Sequence, residues 1–167
     1  MNTDNNSKDM ATLTDGEKRV ERAIELFKSG FNCSQSVVAA FADLYGFTEE
    51  QALRMSASFG GGIGRMRQTC GAACGVFMLA GLETGSTKAG DKAGKAANYE
   101  LVQQLAERFK AENGSLICAE LLGLHPAPTT GGGVQSPSVT PKPKRPCVKM
   151  VESAARMWQE YYNSMKK

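Results

Sequence analysis

Apolar residues recur along most of the chain at the three- and four-residue spacing of a helix that buries one face. A first stripe comprises Val20, Ala23, Ile24 and Phe27, and Gly30 is suited to end it. A second stripe opens at Asn32 and comprises Cys33, Val37, Ala40, Phe41 and Leu44, with Gly46 after it. This periodicity predicts amphipathic helices that face a common core.

Four further segments carry helix signals. Thr48 and Gln51 have the spacing of a capping box, which predicts a helix over Glu49–Ser58. A long amphipathic stripe ends at Asn113-Gly114, Ser115 is suited to cap a short helix after it, and a last helix follows Pro146. No stretch alternates convincingly with a period of two, so the sequence predicts an all-α, single-domain bundle of about six helices.

The segment Thr69–Leu82 differs from these stripes because it contains no charged residue over its 14 positions. A membrane span needs about 20 apolar residues, so this segment is too short to cross a bilayer. A helix without a polar face is expected to be buried on all sides by other helices. The sequence therefore predicts a buried central helix, with Thr69 as its N-cap and Cys70 as its first residue.

Composition divides the chain of 167 residues into one helical domain and two segments without regular structure. Residues 1–14 are polar and lack an apolar core or a cleavage site, which predicts a disordered tail and a cytoplasmic protein. Residues 15–167 form the predicted helical domain. A Pro- and Gly-rich stretch at about 124–145 is predicted to be a mobile insertion in that domain.

Charge and histidine content argue against nucleic-acid binding and against a histidine that acts as a general base. The chain has 20 Lys and Arg against 17 Asp and Glu, for a net charge of +3, and one short basic cluster at Lys142–Lys149. This balance does not indicate a nucleic-acid-binding protein. His125, the only histidine, stands beside Pro126 in the predicted mobile stretch, where a general base would lack a rigid position.

The five cysteines carry the main chemical signal. Cys33, Cys70, Cys118 and Cys147 each fall near the predicted first turn of a different helix, on its apolar face. A helix N-terminus lowers the pKa of a thiol and burial raises it, so a nearby Arg65, Arg67 or metal ion would decide the outcome. To act together, the four helix ends must converge. The alternative is that these cysteines are inert core residues.

Two further features adjoin this set. Cys74 lies four residues after Cys70, too far along one helix for an undistorted disulfide. It could be a resolving thiol, a fifth ligand or a packed core residue, and packing is the favoured role. The glycines before the central helix, Gly60, Gly61, Gly62 and Gly64, can bend the backbone and turn N–H groups inward, which makes them candidate cofactor-binding residues. A plain flexible turn is the alternative.

In this order the motifs resemble the C-GCAxxG-C-C family, which is described as redox-active chiefly from its cysteines. The resemblance covers residues 17–162. The matching residues are Asn32-Cys33, the run Phe59–Arg65, the motif Cys70-Gly71-Ala72-x-x-Gly75, Cys118 before Glu120–Gly123, and Cys147 before the last helix. The resemblance implies that the four characteristic cysteines are Cys33, Cys70, Cys118 and Cys147.

The first functional hypothesis is therefore a redox protein whose four cysteines cycle between thiol and disulfide or pass electrons. This would be a thiol-dependent oxidoreductase or a redox carrier, with a partner protein or a small oxidant or reductant. The second is a binding module in which the same cysteines hold an iron–sulfur cluster or zinc. The third is a helical interaction protein with inert cysteines.

Overall fold

The computed structural model describes residues 13–124 and 146–167, and these ranges are built from helices. In chain order the helices are α1 (Asp15–Lys28), α2 (Cys33–Phe41), α3 (Glu49–Ser56), α4 (Gly71–Thr84), α5 (Lys92–Asn113), α6 (Cys118–Leu121) and α7 (Cys147–Met165). Across the described residues the β structure is one isolated antiparallel bridge between Thr69 and Ile117. The prediction of an all-α bundle is confirmed. The described residues form these seven α-helices, where about six were expected, besides a short helical turn at Gly60–Ile63 in which Gly61 and Gly62 are not helical.

Local side-chain signals fix where several helices begin and end. Thr14, Asn32 and Thr48 each form a capping box at the starts of α1, α2 and α3. In each box the side chain accepts a hydrogen bond from an amide that the first turn leaves unpaired. The left-handed conformations of Gly46 and Gly114 end the helical segments before them.

The core lies between α1, α2, α4, α5 and α7. Its largest fully buried side chains include Trp158 of α7, Phe41 of α2, Phe109 of α5 and Leu79 of α4. Helix α4 buries eight of its fourteen residues, as expected for a helix without charge in its first twelve positions. Helix α2 buries six of its nine residues, a larger fraction, so α4 shares the central position with α2.

Three predicted helix starts are wrong by one or two residues. Thr69 forms the bridge with Ile117, so Cys70 is the N-cap of α4 and Gly71 its first residue. Ser115 does not cap α6, because its hydroxyl accepts a hydrogen bond from the N–H of Ile117, which is itself the N-cap. Pro146 occupies the N-cap of α7 and not its first helical position.

Some predictions fall on residues outside the described ranges. These are the N-terminal tail up to residue 12, the insertion over residues 125–145, and His125. The limits of the domain therefore stay a prediction. Among the helices that the structure describes, none combines the length and the apolar character needed to cross a membrane.

Candidate functional site

Four cysteines meet at one cavity because the helices that carry them begin there. Cys33, Cys118 and Cys147 are the first residues of α2, α6 and α7, and Cys70 is the N-cap of α4. All four line a single cavity of about 940 Å³. Residues far apart in sequence are thus brought to one site by helix N-termini that converge.

The isolated bridge sets the positions of Cys70 and Cys118. The N–H of Cys70 donates to the carbonyl of Leu116 at 2.7 Å, and the N–H of Cys118 donates to the carbonyl of Gln68 at 2.6 Å. Side chains alternate between the two sides of an extended segment. Cys70 and Cys118 each follow a bridged residue, so their side chains lie on the same side of this pair.

Glycine allows the backbone to pass close to two of these cysteines. A Cβ at Gly62 would lie 2.6 Å from Cβ of Cys118, and a Cβ at Gly71 would lie 2.7 Å from Sγ of Cys33. Real Cβ atoms do not approach other atoms so closely, so any other residue at either position would push the cysteine away. Gly62 thus serves close packing behind Cys118, and cofactor binding by Gly60, Gly61, Gly62 and Gly64 stays a prediction. Gly60, Gly61 and Gly64 line the cavity, and Gly62 does not.

The loop over residues 58–68, which contains the glycine run, is held by hydrogen bonds between its own backbone groups. The N–H of Gly64 donates to the carbonyl of Ser58 at 2.8 Å, and the N–H groups of Arg67 and Gln68 donate to the carbonyls of Gly61 and Gly62 at 3.2 and 3.0 Å. These amides hold the loop and do not face a ligand. The expectation that the loop turns its N–H groups inward is therefore wrong for Gly64.

Three residues of this loop adopt a conformation that side chains normally avoid. Ile63, Arg65 and Arg67 have φ values of +64°, +63° and +60°. The left-handed region costs about 1–2 kcal/mol for a residue with a Cβ. Such strain concentrates at functional sites, where the surrounding structure maintains it. Here it accompanies the placement of Arg65 and Arg67 in the cavity wall.

Arg67 contacts one of the four cysteines directly. Its Nη1–H donates to Sγ of Cys118 at 3.8 Å. Its Nε is buried and has no hydrogen-bond partner in the described part of the chain. A guanidinium in this position favours the ionised form of a thiol, because opposite charges attract strongly where water is scarce.

Burial nevertheless dominates the titration of the buried thiols. Burial raises the pKa of Cys70 to about 12, although the N–H groups of Ala73 and Ala72 at the start of α4 act to lower it. Burial also raises the pKa of Cys118, and Arg67 opposes this shift. Desolvation therefore outweighs the helix N-terminus at Cys70 and outweighs Arg67 at Cys118.

Cys74 stands apart from the other four. It does not line the cavity, and its Sγ–H donates to the carbonyl of Thr69 at 3.8 Å. Burial raises the pKa of its thiol to about 11. These contacts are those of a small core residue, in line with the packing role favoured from the sequence.

The raised thiol pKa values predict a loss of stability in alkali. Unfolded thiols ionise above about pH 8.5, whereas buried Cys70 and Cys74 keep their protons. The stabilisation is therefore fully present below pH 8.5 and is lost as the pH rises toward the folded-state pKa values of about 12 and 11. Urea unfolding between pH 8 and 10.5 should give a falling free energy of unfolding, and Cys74→Ala should have a smaller slope. Equal slopes for the two proteins would contradict a raised pKa of the Cys74 thiol in the folded state.

A metal centre at the four cysteines is the alternative that the sequence left open. No group of three or more His, Cys, Asp or Glu side chains among them is arranged to hold a metal ion. A structural zinc site needs about four ligands, with sulfur about 2.3 Å from the metal. The four cysteines share a cavity, and their binding of zinc or an iron–sulfur cluster stays a prediction, through which we derive no step.

Comparison with known proteins assigns the chain to a family. The family described as "Putative redox-active protein (C_GCAxxG_C_C)" matches residues 31–161, so the chain belongs to this family. No curated protein and no solved structure matches the chain. Family membership supports a redox-related role in general.

Proposed function

We propose that the cavity carries out thiol–disulfide exchange, with Cys118 as the attacking thiol and Cys33 as the resolving thiol. The observation that carries the proposal is the guanidinium of Arg67 against Sγ of Cys118, in a cavity lined by three other cysteines. The thiolate is the reactive form of cysteine, and a neighbouring arginine is one of the groups that stabilise it.

Cys118 is the best candidate for the attack because of its neighbour. Among Cys70, Cys74 and Cys118, whose pKa values burial raises, Cys118 is the one for which an arginine opposes the shift. With a pKa of about 12, only about one Cys70 thiol in 10⁵ is ionised at pH 7. Cys70 is therefore a poor nucleophile.

Cys33 is the best candidate for the resolving thiol. Its side chain is only partly buried, at the first position of α2. Electrostatic interaction with Cys33 acts to raise the pKa values of Cys70, Cys74 and Cys118, which supports its proximity to all three. A resolving thiol must reach the first sulfur after the substrate has bound, and partial exposure leaves room for that movement.

The proposed reaction has two steps. The Cys118 thiolate attacks a disulfide R–S–S–R, forms a Cys118–S–S–R bond, and releases one R–S⁻. The Cys33 thiolate then attacks Sγ of Cys118 and releases the second R–S⁻. In total the substrate disulfide gains two electrons and gives two thiols, while Cys33 and Cys118 lose two electrons, and their protons pass to the released thiolates.

The experiment traps the intermediate. Wild-type protein treated with bis(2-hydroxyethyl) disulfide should form a Cys33–Cys118 disulfide, whereas Cys33→Ser should accumulate the mixed disulfide on Cys118. Peptide mass spectrometry distinguishes the two products. Cys118→Ser should lose this reaction, and Cys74→Ser, outside the cavity, should behave as wild type.

Two results would overturn the proposal. The first is an unchanged reaction of Cys118→Ser, or an adduct of Cys33→Ser that maps to Cys70 or Cys147. The second is one equivalent of iron or zinc per chain in anaerobically purified protein that Cys70→Ser removes, with the optical spectrum of such a centre. That outcome would favour the metal-binding alternative.

A further inference from the structure

The charged residues that line the cysteine cavity are of one sign. Within the described residues they are Arg65 and Arg67, and no carboxylate lines the cavity. A second cavity of about 430 Å³ offers a comparison, because both signs line it. There Arg19 pairs with Asp43, and Arg22 pairs with Glu49, each at 2.6 Å.

The positive charge of the cysteine cavity is not neutralised nearby. Among the ion pairs of the described residues, none involves Arg65 or Arg67. The stretch 125–145, which joins α6 to α7, contains no Asp or Glu. The end of α6 and the start of α7 both contribute to the wall, through Leu122 and Pro146. The cavity therefore presents an uncompensated positive charge beside the cysteines.

The rest of the wall suits a small molecule. Apolar side chains line it from three helices and a turn: Phe27, Phe31, Leu121, Leu122 and Met150. A volume of about 940 Å³ lies at the upper end of the range for small-molecule sites. An apolar wall with a few fixed polar groups binds a compact molecule and sets its orientation.

We infer that the substrate of this site is a low-molecular-weight disulfide whose substituents carry carboxylates. The inference rests on the proposed thiol–disulfide exchange and adds the class of its oxidant. Arg65 and Arg67 would attract the carboxylates, and the disulfide bond would lie against the apolar wall at Sγ of Cys118. The same charges would stabilise the departing R–S⁻ as its negative charge develops.

The test compares three small disulfides of similar size. They are 3,3′-dithiodipropionate, which is anionic, bis(2-hydroxyethyl) disulfide, which is neutral, and cystamine, which is cationic. The rate of mixed-disulfide formation is measured on Cys33→Ser by mass spectrometry. Each rate is divided by the rate of the same disulfide with 2-mercaptoethanol, which removes the differences in intrinsic reactivity.

We expect the normalised rate of the anionic disulfide to exceed that of the cationic one about tenfold at low ionic strength. The ratio should fall toward one in 1 M salt, where the screening length is about 3 Å. Arg65→Glu, added to Cys33→Ser, should bring the ratio close to one, because it leaves one positive and one negative charge among the residues that line the cavity. Arg65 makes no hydrogen bond to a cysteine among the described residues, so the contact of Arg67 with Cys118 stays in place. The control Arg54→Glu replaces an exposed arginine of α3 outside the cavity wall and should keep the ratio.

The outcomes separate the two proposals. Equal normalised rates for the three disulfides, or an anion preference that Arg65→Glu leaves unchanged, would overturn the inference and leave the exchange reaction in place. No mixed disulfide on Cys118 with any of the three would overturn the exchange reaction, and the assigned substrate class with it.

Discussion

Gly62→Ala is expected to lower the free energy of unfolding by about 2–5 kcal/mol. Gly62 has a φ of +71°, where a Cβ costs about 1–2 kcal/mol. That Cβ would also lie 2.6 Å from Cβ of Cys118 and 2.8 Å from Cα of Arg67. Overpacking of this kind destabilises a protein by a further 1–3 kcal/mol or so. Urea unfolding followed by circular dichroism measures the total.

Gly64→Ala separates the two contributions. Gly64 belongs to the same loop and has a φ of +57°, but the nearest atom to its Cβ would be the carbonyl oxygen of Ser58 at 3.8 Å. This variant should show only the backbone cost of about 1–2 kcal/mol. If the two variants lose equal stability, the close packing of Gly62 on Cys118 contributes nothing to the cost of Gly62→Ala.

The helices that the sequence predicted correctly are those that local signals define. The apolar periodicity and the Thr48 capping box are local signals, and they correctly predicted α1, α2 and the start of α3. The start of α4 was wrong because Thr69 pairs with Ile117, 48 positions along the chain by sequence number. A contact between distant residues leaves no periodic trace in either segment.

The cysteines of the candidate site could be predicted from the sequence, whereas the role of its arginines could not. The cysteines could be picked out because each stands at a helix start, which a sequence records through caps, prolines and apolar stripes. Arg65 and Arg67 could be noted only as nearby charges, since the contact of Arg67 with Cys118 depends on left-handed residues other than glycine. A positive φ is uncommon in residues other than glycine, and it is rarer still in a β-branched residue such as Ile63. No sequence rule would therefore have predicted the left-handed conformation of Ile63.

The role of the glycine run also lay beyond the sequence. Four glycines in five residues indicate a sharp turn, and they suggested amides directed at a ligand. The structure shows that the amide of Gly64 donates to the carbonyl of Ser58, and that Gly62 approaches Cys118 closely. Which neighbour a glycine accommodates depends on the packing of α6 against the loop, and that is a property of the assembled bundle.

Arg67→Ala is expected to slow the reaction of Cys118 with iodoacetamide at pH 7 by about three- to thirtyfold. An opposite charge at short range shifts a pKa by about 1–3 units, so removing the guanidinium should raise the pKa of Cys118 further above its ordinary value. The thiolate fraction then falls about tenfold for each unit. A thiolate of higher pKa is a better nucleophile, and this offsets slightly less than half of the loss in the logarithm of the rate. The net slowing is therefore about threefold for each pKa unit.

The measurement follows alkylation of the Cys118 peptide by mass spectrometry from pH 6 to pH 10. The midpoint of the rate profile should move to higher pH in Arg67→Ala and stay nearer the wild-type value in Arg67→Lys, which keeps the positive charge. Arg65→Ala, also in the cavity wall, is the matched control for general loss of charge and should shift the midpoint less. A merely structural role for Arg67 would expose Cys118 and speed its alkylation, because an opened cavity lowers the desolvation that now raises the pKa. Faster alkylation of Cys118 in Arg67→Ala would therefore show that Arg67 closes the site, and does not activate the thiol.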